Sequence, residues 1–213
     1  DINDVLLTST GGISLDGSIT TAVDSDETGA TSGVVTLTGP VTLAGNTTID
    51  TDSTSNNGAV TFSSTVDGAK TLTITSGSGA VQFGGNIGAT TALGDVTVNS
   101  SAGTGAITFS GNVGADATTA GAAVVTVGNS DTASITFAGV EFTTSGLQLF
   151  TADAYSITGA DSTFGSSNDN ITFADGGADG GITLADIAHL TITTEIGGSG
   201  GGNIAVNVPI AGT

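Results

Sequence analysis

The sequence predicts an all-β fold, a parallel β-helix (β-solenoid) of about nine turns with roughly 24 residues in each turn. Three observations predict it. An apolar-Thr-apolar triplet recurs along the 213 residues, apolar and polar residues alternate at period two, and 35 glycines separate the runs. An antiparallel sandwich of seven or more strands is the alternative. Recurrence of one triplet at a fixed period favours the solenoid.

The first strand of each turn is the triplet itself. Its clearest copies are VTF at 60–62, VQF at 81–83 and ITF at 107–109. Alternation turns the outer two residues of each copy inward, so we expect an aliphatic ladder through Val60, Val81 and Ile107. An aromatic ladder should lie beside it, through Phe62, Phe83, Phe109 and Phe137. Weaker copies of the triplet begin at Ile13, Val35, Ile135, Ile157, Ile182 and Ile204.

A second strand follows within each turn. Its copies are LTIT at 72–75, VTV at 96–98, VTV at 125–127 and LQL at 147–149. Glycine-containing pairs separate the strands and supply the positive φ angles of tight corners. The stretch 141–181 is longer and less regular than the rest. We therefore expect a single solenoid domain over residues 1–213 with a deviation at 141–181.

The repeated sequence also resembles that of a known protein family. GAVTF at 58–62, VDGAKTLTI at 66–74 and GAVQFGGNIG at 79–88 resemble the repeat regions of bacterial surface proteins of the filamentous-haemagglutinin and autotransporter type. The resemblance implies a right-handed parallel β-helix, export across the outer membrane, and a role as an adhesin or surface fibre. The chain would correspond to the passenger or fibre portion of such a protein.

Charge and composition exclude several function classes. Twenty acidic residues face one Lys or Arg, which gives a formal net charge of −19. Such a surface cannot neutralise phosphates, so we expect no nucleic-acid partner. The absence of cysteine excludes disulfides and thiolate chemistry and suits an exported bacterial protein, hence an extracellular or cell-surface location. No run approaches the roughly 18 apolar residues of a membrane helix, so membrane insertion is not expected.

Catalysis is not expected. Hydrolases of the β-helix fold use paired Asp residues with a His and basic residues that hold uronate. This sequence has no Asp-Asp dipeptide, and Lys70 and His189 stand alone. Two carboxylates could still hydrolyse a neutral glycan if the fold brought them together, which leaves a glycan-active enzyme as a minor alternative.

Acidic turns are the one candidate for a metal site. Calcium takes oxygen ligands from loops with two or three carboxylates. The alternative interpretation, which we favour, is that these residues form Asx-turns and keep the rod soluble. No other cofactor is expected. The calcium candidates are Asp24, Asp26, Glu27, Asp50, Asp52, Asp175 and Asp179.

The leading hypothesis is a structural protein of a bacterial surface: a fibre, a coat or an adhesin stalk. The sequences of residues 1–10 and 197–213 resemble strands rather than a polar cap. We therefore expect end-to-end assembly by strand addition, to other copies or to the rest of a longer surface protein. An adhesin module that binds a neutral glycan or a host protein through 141–181 is the alternative. An ice-binding solenoid is a third, because an outward threonine row is expected at Thr36, Thr61, Thr108, Thr136, Thr158 and Thr183.

Overall fold

The computed structural model of the chain describes residues 4–21, 32–53, 57–177, 180–185, 189–196 and 201–212. Within these ranges the fold is all-β and contains no helix, so no described helix could cross a membrane.

The described residues form short strands, most of three to five residues. The first seven are β1 (Val5–Thr8), β2 (Ile13–Thr20), β3 (Val35–Thr38), β4 (Val41–Asp50), β5 (Val60–Phe62), β6 (Val66–Asp67) and β7 (Leu72–Thr75). The next seven are β8 (Val81–Phe83), β9 (Val96–Val98), β10 (Ile107–Phe109), β11 (Val125–Gly128), β12 (Ile135–Phe137), β13 (Glu141–Thr144) and β14 (Gln148–Ala152). The last seven are β15 (Tyr155–Ile157), β16 (Asp161–Ser166), β17 (Ile171–Asp175), β18 (Ile182–Leu184), β19 (His189–Thr193), β20 (Ile204–Val206) and β21 (Ile210–Gly212).

The strands stack in parallel on three faces, which confirms the β-solenoid. Face 1 runs β1-β3-β5-β8-β10-β12-β15-β18-β21. Face 2 runs β2-β4-β7-β9-β11-β14-β17-β20, using the second parts of the long strands β2 and β4. Face 3 runs from the first parts of β2 and β4 through β6 and single bridges at Ile87 and Val113 to β13, β16 and β19.

The turns are slightly longer than the sequence predicted. They average roughly 26 residues, so the chain makes fewer turns than the nine expected from a period of 24. Ile13 and Ile204 do not lie on face 1, because they pair with residues of faces 3 and 2. On face 1, Tyr155 rather than Ile157 pairs with Ile135. The residues that lie in register along face 1 are Val5, Val35, Val60, Val81, Ile107, Ile135, Tyr155, Ile182 and Ile210.

Both predicted ladders are present in the core. The aliphatic residues Val60, Val81 and Ile107 are in register and buried. The aromatic ladder Phe62–Phe83–Phe109–Phe137 has consecutive ring centroids 5.2, 5.1 and 5.6 Å apart, with interplanar angles of 9°, 9° and 8°. Stacking like on like lets a small apolar fraction form a continuous core.

The predicted register of the strand at 147–149 is wrong by one residue. Gln148 and Phe150 point inward, in register with Val125 and Val127, and both are buried. Leu149 lies on the outward side of the strand, between them. The polar side chain is accommodated because Gln148 Nε2 donates to the carbonyl oxygens of Phe142 and Gly165, at 2.9 and 2.7 Å. A slip of one residue exchanges the two sides of a strand.

Glycines form a tight corner before face 1 in the first half of the rod. An added Cβ on Gly79 would clash with the carbonyl of Gly58, and one on Gly105 would clash with the carbonyl of Gly79. Successive turns therefore approach backbone to backbone at this corner, which only glycine permits.

Candidate functional site

Four of the seven calcium candidates lie outside the described residues: Asp24, Asp26, Glu27 and Asp179. Asp50 ends β4, and its Oδ1 accepts from the Asp52 backbone N–H at 3.0 Å. Asp175 ends β17, and its Oδ1 accepts from the Gly177 N–H at 2.9 Å. Both are Asx-turns. Across the part of the chain that the structure describes, no three His, Asp or Glu side chains come together as a metal site would require.

Other Asn and Asp side chains at the corners connect one turn to the next by hydrogen bonds. The sequence did not predict this role. Asn86 Oδ1 accepts from the Asn112 N–H, and Asn112 Oδ1 in turn accepts from the Val140 N–H, at 3.0 and 2.9 Å. Asn170 accepts from the Asn203 N–H at 2.7 Å. These side chains satisfy corner N–H groups that no strand partner reaches. Asn or Asp recurring at corners was the available signal.

His189 pairs with Asp161, and no two carboxylates face each other in register within the described strands. His189 Nδ1 lies 2.6 Å from Asp161 Oδ1, and both side chains are exposed. Every strand carboxylate paired in register faces a non-acidic residue. These carboxylates and their neighbours are Asp50 with Thr20 and Thr75, Asp67 with Thr42, Glu141 with Thr163, Asp161 with His189, and Asp175 with Ala152.

Among the described residues, Glu141 and Asp116 are the two carboxyl groups with clearly shifted pKa values. Burial raises the pKa of Glu141, and the negative charge of Asp116 raises it further. Hydrogen bonds from the Thr118 hydroxyl and N–H, at 2.7 and 2.8 Å, lower the pKa of Asp116. Glu141 Oε2 is buried and has no hydrogen-bond partner. The Glu141 side chain as a whole is half-buried, so its carboxylate is only partly shielded from solvent.

Aromatic side chains offer no platform for sugars. All eight phenylalanines and the single tyrosine of the sequence are buried. Phe142, Phe150 and Phe164, in the stretch proposed for a binding site, are core residues. Phe142 and Phe150 help to enclose a cavity of about 10 Å³ next to Gln148. This volume suits one water molecule, whereas ligand pockets measure about 300–1,000 Å³.

The outward threonine row is present, with one correction. Ser156 occupies the position assigned to Thr158, because Ser156 pairs with Thr136 and Thr183. Gln82 interrupts the row between Thr61 and Thr108. A second outward row runs along face 2. Its members are Ser18, Thr48, Thr73, Thr97, Thr126, Leu149, Thr172 and Ala205. Each row is one residue wide and interrupted, unlike a broad regular hydroxyl lattice.

The two ends of the rod carry most of the exposed large apolar side chains among the described residues. Leu6 is 68% exposed at the first strand of face 1, and Ile210 is 51% exposed at the last. Ile204 is 48% exposed at the last strand of face 2. Among the described strands, β1 and β21 are the outermost of face 1. The outer edge of such a strand is where a further strand can add.

Comparison with family models, with curated proteins and with solved structures finds no match to this chain.

Proposed function

We propose that the chain is a structural, non-enzymatic rod of a bacterial surface, serving as a fibre, coat or adhesin stalk. The observation that carries the proposal is the unbroken parallel ladder of face 1, from β1 to β21. Nine strands at the parallel spacing of about 4.8 Å give a rod of roughly 40 Å. The main-chain hydrogen bonds run along the rod axis and resist its bending and stretching.

The side chains support a structural role. Aromatic rings and most aliphatic side chains are used in the core, and corner Asn and Asp residues are used to hold neighbouring turns. The outward rows hold mainly threonine. The sides of the rod present hydroxyl, amide and carboxylate groups to solvent, and the chain has a net charge of −19. Such sides repel one another and keep rods from associating laterally.

An extracellular location is part of the proposal. The chain has no cysteine to form stray disulfides in an oxidising compartment, and its repeats resemble those of exported bacterial surface proteins. This supports export of the rod to a place where stiffness and reach are useful.

Two measurements test the proposal. Small-angle X-ray scattering of the purified chain should give a rod with a length of about 40 Å, or a multiple of it. Immunogold labelling of the bacterium that encodes the chain should place it at the cell surface. A compact spherical particle would contradict the rod, and labelling confined to the cytoplasm would contradict the surface role.

A further inference from the structure

Buried hydroxyl groups close two corners of the rod. The 2–1 corner is where the chain leaves face 2 and enters face 1, and the 3–2 corner is where it leaves face 3 and enters face 2. In three successive turns of each corner, a Ser or Thr hydroxyl at the exit donates to a main-chain carbonyl oxygen at the re-entry. The six bonds run from Thr21 to Gly33, from Thr51 to Gly58, from Ser76 to Gly79, from Thr144 to Gly146, from Ser166 to Asp169 and from Thr194 to Gly202.

The bond occupies the same place in each turn. Its six donor side chains are buried, and at the 3–2 corner they are in register, since Thr144 pairs with Ser166 and Thr194 follows the partner of Gly165. Its acceptors also stack, because each lies two positions before a residue that is in register with its equivalents. Those residues are Val35, Val60 and Val81 at the 2–1 corner and Gln148, Ile171 and Ile204 at the 3–2 corner.

The chain between donor and acceptor varies in length, although the bond keeps its place. Donor and acceptor are 12, 7 and 3 residues apart at the 2–1 corner, and 2, 3 and 8 residues apart at the 3–2 corner. The 1–3 corner, where the chain leaves face 1 and enters face 3, is longer in the first turn and after Phe137. Between Leu37 and Val113, however, it keeps one length in four successive turns, at 38–40, 63–65, 84–86 and 110–112. The 2–1 corner changes length within those same turns.

Two reciprocal hydrogen bonds form the neck of a loop at the 2–1 corner. Thr51 Oγ1 donates to the Gly58 carbonyl oxygen at 2.6 Å, and the Gly58 N–H donates back to the Thr51 carbonyl oxygen at 3.2 Å. Ser76 and Gly79 exchange the same two bonds, at 2.8 and 2.7 Å. Because the neck satisfies its own buried polar groups, the core beneath it does not depend on the chain beyond it. Lengthening a loop costs little, since the entropy of closing it changes only with the logarithm of its length.

We propose that the 2–1 and 3–2 corners are display sites, at which a buried hydroxyl closes the neck of a surface loop whose length and sequence can change without altering the rod. The inference goes beyond the rod function, because it assigns to two edges the presentation of loops to solvent and to binding partners. The 1–3 corner of the first half is not such a site. Its turns meet backbone against backbone, as Gly85 does with Ser64 and Gly111 does with Gly85.

Insertion of one segment at two corners tests the proposal. About ten Gly and Ser residues between Gly77 and Ser78 would make the span from Ser76 to Gly79 about as long as the longest natural span of the 2–1 corner. Urea unfolding followed by circular dichroism measures the folding equilibrium constant. We expect it to fall by about tenfold, which is the entropy cost of the longer loop alone.

The matched control places the same segment between Gly84 and Gly85, in the 1–3 corner that follows. There it separates the close-packed backbone of Gly85 from its neighbour and strains the hydrogen bond from the Gly84 N–H to the Phe62 carbonyl oxygen. We expect the folding equilibrium constant to fall by more than about a hundredfold. Equal losses at the two corners would overturn the proposal.

Removal of the hydroxyl tests whether it closes the neck. In an S76A chain, the insertion after Gly77 should lower the folding equilibrium constant by about tenfold more than it does in the native chain, because the longer loop then opens the corner. The cost of S76A alone is subtracted, including that of the bond from Asn99 Nδ2 to Ser76 Oγ. S78A is the control, because Ser78 is exposed, and should leave the cost of the insertion unchanged. Additive losses for S76A and the insertion would overturn the role of the hydroxyl.

An insertion at the 3–2 corner decides the matter if the first variant does not fold. The same segment between Ser167 and Asn168 lies within the neck that Ser166 closes, and we expect the same loss of about tenfold. Small-angle X-ray scattering should show that tolerated insertions keep the length of the rod. A native rod whose two display corners both reject insertions would overturn this inference and leave the rod function intact. A native chain that is not a rod would instead contradict the function.

Discussion

The two halves of the rod use the same three faces but pack their cores differently. Up to Phe137, equivalent positions repeat the same residue type, and the rings stack nearly parallel. From Glu141 onward, large side chains enter face 3, where Phe142 follows Val113 and Ile87 in one column. Rings within one column still stack there, as Phe142 and Phe164 do at 4.7 Å and 13°, but rings of different columns now meet edge to face, as Phe137 and Phe142 do at 4.9 Å and 76°.

The difference shows what a larger residue does to a repeating core. A stack of like residues needs no adjustment between turns. When Phe142 and Phe164 replace smaller residues on face 3, single bridges become the true strands β13 and β16. Beside these rings lies the buried Gln148, whose amide donates to main-chain carbonyls. The irregular stretch is thus a change in core packing and not an opening in the wall.

Truncating the ring that joins the halves should have the largest effect. Phe137 stacks on Phe109 and meets Phe142, Phe150 and Phe164 within 5.6 Å. F137A should lower the free energy of unfolding by about 3–5 kcal/mol, since the cavity borders both packing modes. Urea unfolding followed by circular dichroism measures this loss. Fluorescence of Tyr155, the only tyrosine, reports on the second half separately.

The matched control is F83A, within the uniform stack. Its ring contacts other rings only in the turns before and after it, Phe62 and Phe109. We expect a smaller loss and a weaker effect on the Tyr155 signal. Equal losses in both variants would mean that the two halves do not differ in packing energy.

The glycine corner should be the next most sensitive feature. G79A places a methyl group against the carbonyl of Gly58. The clash is costly because a backbone carbonyl cannot rotate away as a side chain can. We expect a loss of about 1–3 kcal/mol by thermal denaturation. At the equivalent corner the chain has Ala133, which is exposed, but the close approach returns further along at Gly180, where an added Cβ would clash with the carbonyl of Asp153.

Gly11 supplies the control for that corner. No atom lies within 4 Å of a Cβ added there, and its φ is not positive. G11A should change the stability by less than about 0.5 kcal/mol. A comparable loss in G11A would show that glycine is needed for flexibility and not for close approach.

Removing the buried amide tests the second half. Q148L fills the space with an apolar side chain but leaves the Phe142 and Gly165 carbonyls without their donor. Unsatisfied buried acceptors cost about 1–3 kcal/mol, so Q148L should destabilise the fold despite its hydrophobicity. The variant I171L, in the next turn of the same column, should lose less than about 1.5 kcal/mol. A Q148L chain as stable as the native one would show that these carbonyls find other donors.

The sequence predicted the fold from one strong signal. Alternation and the repeated triplet give strands, and stacking of like residues gives the parallel solenoid and both ladders. What it missed depends on distant partners. Leu147 and Leu149 read as an inward pair, but register is decided by Val125 and Val127 one turn away. Tyr155 was not recognised as a core residue because its hydroxyl needs the Phe150 and Ala174 carbonyls, which only the fold brings there.

The candidate site was predicted in part for the same reason. Strand-like sequences near residues 5–8 and 204–208 indicated exposed edges, and β1 and β20 form there. The assignment of Ile13 and Ile204 to faces 3 and 2 could not be read from the sequence, because it follows from pairing and not from the triplet.

The smallest expected effect is that of removing the charge of Glu141, at the start of the second half. Burial and Asp116 raise the pKa of Glu141 above its ordinary 4.5, so its ionisation opposes folding. The native chain should therefore lose stability as the pH rises through the folded pKa of this group, and E141Q should remove that loss. Because the side chain is partly solvated, we expect E141Q to gain only a few tenths of a kcal/mol at pH 7 and nothing at pH 3. Urea titrations at both pH values measure the difference. E195Q removes the same charge from an exposed position and serves as the control. An equal gain in both variants would indicate that overall charge, and not the burial of Glu141, is responsible.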